Sequence, residues 1–183
     1  GCVSPGERLE ASTVERIKEG STTRQEVEKL LGMPRSILQG SDRRVVADYS
    51  YGRLLPGATP PTVGPTAKII GSVWERSVSV LYDENGIVMK KTFFESEQRV
   101  REGHGRIWVG HGITESDLSD IQVGVTTFKE LEKRFGRPAS KGLTLKGNYA
   151  YDWFYGTTQE SSGLNVKRRT IQVLFENDGK VID

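Results

Sequence analysis

The chain has 183 residues, 35% of them hydrophobic and 27% charged, and its mean hydropathy is −0.48. Such a composition suits one large globular domain or two small ones, and no stretch approaches the roughly 20 apolar residues of a membrane-spanning helix. The formal charge is only +2 with both signs mixed throughout, so no nucleic-acid footprint is present, and a single cysteine excludes an internal disulfide.

That cysteine is Cys2, in Gly1-Cys2 followed by the short polar run Val3-Ser4-Pro5-Gly6. This start resembles that of a mature bacterial lipoprotein, whose signal ends in a small residue and whose cysteine carries the acyl chains. The resemblance implies a lipid anchor at Cys2, each buried methylene contributing about 0.8 kcal/mol. Val3 stands where an Asp would favour inner-membrane retention, which implies the outer membrane. The competing reading is an added Gly1 and an incidental thiol. Residues 1–11 are read as the tether.

Two segments beyond the tether repeat each other. Ile17–Pro34 and Ile121–Pro138 are identical at nine of 18 positions at an offset of 104, and the same offset pairs Asp48–Gly52 with Asp152–Gly156. Val80-Leu81-Tyr82 then pairs with Val173-Leu174-Phe175, and Gly86 with Gly179, at an offset of 93, so copy one carries 104 − 93 = 11 additional residues. Within each copy, Thr23-x-x-Glu26 and Thr127-x-x-Glu130 predict capping boxes. Val27, Leu30 and Leu31, then Leu131 and Phe135, follow at helical spacing, and Gly32-x-Pro34 and Gly136-x-Pro138 end the helices. A shorter helix precedes each, capped in copy one by Ser12-x-x-Glu15.

Strands come next. Alternation in 148–155 places Tyr149, Tyr151, Trp153 and Tyr155 on one face, matched in copy one by Val45, Ala47, Tyr49 and Tyr51. Second strands over 73–82 and 167–176 direct Val78, Val80 and Tyr82, or Ile171, Val173 and Phe175, to the core. Asp83–Gly86 and Glu176–Gly179 read as hairpin turns, followed by third strands over 87–94 and 180–182. The expected fold is α+β: tandem ααβββ units, each an antiparallel three-stranded sheet with two helices on one face. Repeat one spans 12–95 with a proline-rich insertion at 55–66, repeat two spans 114–183, and 96–113 connects them.

Gly20, Thr22, Gly32, Pro34, Tyr49 and Tyr51, with Gly124, Thr126, Gly136, Pro138, Trp153 and Tyr155, form a pattern similar to that of the SmpA/OmlA (BamE-like) lipoprotein family. The resemblance covers about 12–94 and 114–183. It implies an outer-membrane lipoprotein facing the periplasm that supports assembly of β-barrel proteins, partnered by those barrels or their assembly machinery. Two units in tandem also resemble the β-lactamase inhibitor protein, which implies the alternative of a secreted or periplasmic enzyme inhibitor. Members of the assembly complex carry one unit, whereas this chain has two.

Chemistry is sparse. His104 and His111 lie in a glycine-rich stretch without further His or Cys ligands, so no metal site is expected, and no cofactor loop follows a strand. No Gly-x-Ser-x-Gly elbow exists, and the reading is non-catalytic. Partner contact is expected on the sheet face away from the helices: Asp48 and Ser50, Asp152 and Phe154, Thr170 and Gln172, joined by Ser77 and Ser79. An exposed Phe154 among polar neighbours has the composition of an interface centre; packing against the other repeat is the alternative. A second candidate is the uncharged insertion around Pro60 and Pro61, read either as an extended docking segment or as a tolerated surface loop.

Overall fold

The computed structural model describes residues 9–56, 68–103, 106–159, 165–176 and 179–182. Cys2, Pro60, Pro61 and His104 lie outside the described residues. The elements in chain order are α1 (Ala11–Glu15), α2 (Arg24–Leu31), β1 (Ser36–Gln39), β2 (Val45–Pro56), β3 (Lys68–Tyr82), β4 (Val88–Gly103) and β5 (Arg106–Gly110). Then follow α3 (Glu115–Ser119), α4 (Phe128–Phe135), β6 (Ser140–Leu143), β7 (Tyr149–Gln159) and β8 (Asn165–Phe175).

The expectation of two self-contained ααβββ units is corrected. The chain is mostly antiparallel strand, and its eight strands share one sheet in the order β1-β2-β3-β4-β5-β7-β6, with β8 pairing β7. The cause lies in the stretch that reads in sequence as a connector. β4 continues through residues 96–103, and β5 pairs with it antiparallel from Val100↔Val109 to Gly103↔Arg106. On its other edge β5 pairs with β7, from Arg106↔Gln159 to Gly110↔Tyr155. Backbone hydrogen bonds therefore run on from the first copy's last strand into the second copy's sheet. Gly110 ends β5 at φ +80, and a Cβ there would lie 1.9 Å from the Phe154 carbonyl oxygen, so only glycine permits this approach.

Local geometry follows the sequence closely. Thr23 and Thr127 both form complete capping boxes with Glu26 and Glu130. Ahead of them, Thr22 Oγ1 accepts from the Lys18 amide at 2.7 Å and Thr126 Oγ1 from the Gln122 amide at 2.8 Å. The Gly20 amide donates to Val88 O at 2.7 Å, and the Gly124 amide to Val181 O at 2.8 Å. One cap differs: α1 begins after Glu10 with no side-chain cap, so Ser12 and Glu15 form no box. Instead Thr114, with Asp117, caps α3. The short strands β1 and β6, absent from the expected fold, are pinned where the Arg35 and Ala139 amides donate to Asp48 O and Asp152 O, each at 2.7 Å.

The chain divides into two compact units whose boundaries cut across the copies. Unit 1 comprises Gly1–Gly52, Glu75–Glu95 and Ser140–Ala150; unit 2 comprises Arg53–Trp74, Ser96–Ala139 and Tyr151–Asp183.

In unit 1, α1 and α2 cover one sheet face. Val14, Ile17, Val27 and Leu31 pack on Val45, Ala47, Tyr49, Val78, Val80 and Tyr82. Complete burial of a side chain such as Ile17 or Val27 contributes about 1.5–3 kcal/mol. The Tyr49 and Tyr82 hydroxyls are sealed in this core without a hydrogen bond of normal geometry, and burial pushes both phenols above their ordinary pKa. Lys91 reaches under the helix layer, where its Nζ donates to Val14 O at 2.7 Å and to Ile17 O, so that the end of α1 is satisfied. On the opposite face Val46 and Leu81 form a smaller cluster with Leu143, which Leu145 and Tyr149 flank. Alternation assigns Tyr149 to the aromatic row of copy two, but it lies instead between the Lys90 and Lys141 ammonium groups, 4.0 and 4.1 Å from its ring centroid.

In unit 2 the core is aromatic. Phe128 and Tyr151 approach to 4.6 Å between centroids, Tyr151 meets Phe175 edge-on at 5.5 Å, and Trp153 contacts Phe135 at 6.2 Å. The Trp153 indole Nε1–H donates to Gly136 O at 2.8 Å, so its one polar atom is satisfied while only 2% of the residue is exposed.

Candidate functional site

The sheet face expected to be open is closed in unit 1. Ser77 and Ser79 are buried there, contrary to expectation, because β6 crosses them: Ser77 Oγ donates to Lys141 O at 3.3 Å, and Ser79 Oγ accepts from the Leu143 amide at 3.0 Å. Asp48 and Ser50 are half-buried and engaged locally. Asp48 accepts from Ser36 Oγ at 3.0 Å, and Ser50 Oγ accepts from Arg35 Nη1 at 3.0 Å. In the other unit, Asp152 accepts from Gln172 Nε2 at 2.9 Å, and Thr170 lies exposed beside them on β8. Phe154 is half-buried with the Arg168 guanidinium 5.2 Å from its ring centroid. The structure thus joins Asp152 to Gln172 and leaves Asp48 and Ser50 in a different unit.

A concavity in unit 2 rises from the strands that replace the expected connector. Register sets Arg101 opposite Trp108, Trp108 opposite Thr157, and Gly110 opposite Tyr155. Alternation along β5 puts Arg106 on the Trp108 face as well. These side chains, with His111, line a cleft of about 510 Å³. Gly103, Gly110 and Gly112 complete its wall, so backbone rather than side chain bounds part of it. A smaller recess of about 240 Å³ shares Arg101, Gly110 and His111, and Phe135, Trp153 and Phe154 give it an apolar wall.

Charge around both recesses is one-sided. Among the described residues, Arg99, Arg101, Arg106 and Arg137 line them, against the single carboxylate of Glu97, which already accepts from Ser72 Oγ at 2.5 Å. Arg101 and Arg106 make no ion pair among the described residues. The fold supplies guanidinium forks, an indole and a phenol on one sheet face, groups that hold an anion and stack against a flat apolar surface. No group of three or more His, Cys, Asp or Glu side chains gathers among the described residues.

The signal for this cleft is present in the sequence. Arg106-Ile107-Trp108-Val109 alternates as a strand does, but glycine-rich runs on either side, Gly103-His104-Gly105 and Gly110-His111-Gly112, give it the character of a linker.

No protein-family model matches this chain, and comparison with curated proteins and with solved structures gives no match either.

Proposed function

We propose that this protein works by binding a protein partner through the unit 2 cleft, as a non-catalytic scaffold of the bacterial outer membrane that faces the periplasm. The observation that carries the reading is the cleft itself: two arginines without ion-pair partners among the described residues stand beside Trp108 and Tyr155 on one sheet face. Arginine and the large aromatic residues are the side chains that dominate interface energetics when a partner desolvates them. The placement at the membrane rests on Cys2 and on the residue pattern similar to the SmpA/OmlA family; barrel proteins or their assembly machinery are the partners that pattern implies.

The test is photocrosslinking in living cells of the native host, with the photoreactive residue at position 157 on the cleft wall and, as a control, at position 38, where Leu38 is exposed in unit 1. A discrete protein adduct from position 157, absent from position 38 and lost when Arg101→Glu is added, is the expected result. Absence of any adduct at position 157 overturns the binding reading. Labelling with radioactive palmitate tests the anchor separately: incorporation abolished by Cys2→Ser is expected, and no incorporation removes the membrane placement while leaving the cleft untouched.

A further inference from the structure

We propose that the unit 2 cleft recognises an acidic peptide segment in extended conformation, with two carboxylates at alternate positions followed by an aromatic side chain. The inference rests on the binding reading above and specifies the chemistry of the partner.

The cleft, of about 510 Å³, is open to solvent along its length and has the size of a site for a short segment. Its charge is the first determinant. Among the described residues, Arg101 and Arg106 carry no ion pair, and the neighbouring recess adds further arginines and one carboxylate, which Ser72 already engages. Spacing is the second. Arg101 is directly opposite Trp108, and Arg106 lies two residues from Trp108 along the paired strand, so the two arginines are diagonal neighbours on one face. Diagonal neighbours of an antiparallel pair are about 7–8 Å apart. Residues two apart on an extended peptide are separated by about 6.6 Å and point to the same side. An acid-x-acid segment therefore matches the two forks, each carboxylate taking one guanidinium in a bidentate pair. The third determinant is the aromatic pair on the same face: Trp108 stands directly opposite Arg101, and Tyr155 lies opposite Gly110, two positions further along β5, so an aromatic side chain that follows the acidic pair has a ring to stack on.

The experiment is isothermal titration of the purified full chain with a terminally blocked peptide, glutamate–serine–glutamate–serine–phenylalanine. The same peptide with both glutamates replaced by glutamine, and inorganic phosphate, serve as competitors. Saturable binding is expected, weakening at least tenfold in Arg101→Ala and in Arg106→Ala, because truncating one member of a desolvated ion pair exceeds the roughly 1.4 kcal/mol that corresponds to a factor of ten. Arg101→Lys keeps the charge, loses the fork, and should fall between. Unchanged circular dichroism keeps these comparisons free of misfolding. Equal binding of the glutamine peptide, full displacement by phosphate at equal concentration, or indifference to both arginine substitutions overturns the proposal. If the peptide fails while the adduct from position 157 persists in cells, the acidic-segment inference falls and the binding reading stands; if the adduct is also absent, both fall.

Discussion

Replacing Leu143 with alanine measures whether the hairpin of the second copy is an integral part of unit 1. Leu143 is 6% exposed and packs on Val46 and Leu81, exposed by 1% and 2%. A leucine-to-alanine change in a buried cluster costs about 2–5 kcal/mol, the larger values belonging to sites that cannot collapse around the cavity. This cluster has only three buried members, and Leu145 and Tyr149 at its border are partly buried and can relax inward. The expected loss is therefore near the lower end, about 2–3 kcal/mol. Ser79→Ala attacks the same contact through its hydrogen bond. It leaves the buried Leu143 amide without its acceptor at 3.0 Å, an expected loss of about 1–3 kcal/mol. Because the two residues touch, the double variant should lose less than the sum. Urea denaturation followed by far-ultraviolet circular dichroism reads all three, since tryptophan fluorescence reports on Trp74, Trp108 and Trp153, which belong to unit 2. Leu38→Ala, at a residue 57% exposed, is the control and should change stability by less than about 0.5 kcal/mol. A Leu143→Ala effect no larger than that control would refute the packing of β6 on the unit 1 sheet.

Other expectations concern single contacts. In the capping boxes, hydrogen bonds from the Thr23 and Thr127 amides and hydroxyls hold the Glu26 and Glu130 carboxyls below their ordinary pKa of 4.5. A depressed carboxyl contributes its stability above the unfolded value and loses it as pH falls through the lower folded value. The urea midpoint should accordingly drop below about pH 4.5, and drop less in the Glu26→Gln/Glu130→Gln variant. Thr127→Ala should cost about 1 kcal/mol at neutral pH by thermal denaturation. Gly110→Ala combines a left-handed φ of +80 with a Cβ 1.9 Å from Phe154 O. It should weaken the β5–β7 pairing by about 1–3 kcal/mol or more and accelerate amide exchange in 106–110, and normal exchange there would contradict the register. Lys91→Met removes both donors from the end of α1 and should cost about 2–4 kcal/mol in a denaturant titration; a neutral result would mean water satisfies those carbonyls.

What the sequence determined by itself is local. Thr23, Glu26, Gly32 and their partners 104 positions on are each specified by neighbours within a few residues, through a cap bond or a positive φ, and they form as the pattern requires. The core rows Val78-Val80-Tyr82 and Ile171-Val173-Phe175 were equally legible, because a period of two leaves one face to bury. Only the tertiary structure decided what covers the other face. Ser79 looks like a solvent residue in any window of its own strand, and it is buried by Leu143, which lies 64 positions away. Likewise Arg106–Gly110 became a strand because β4 and β7 offered hydrogen-bonding edges on either side, a fact that no local pattern contains. The cleft with Arg101, Arg106, Trp108 and Tyr155 depends on that pairing. Its residues are adjacent across strands rather than along the chain, and register, a property of the assembled sheet, put them together.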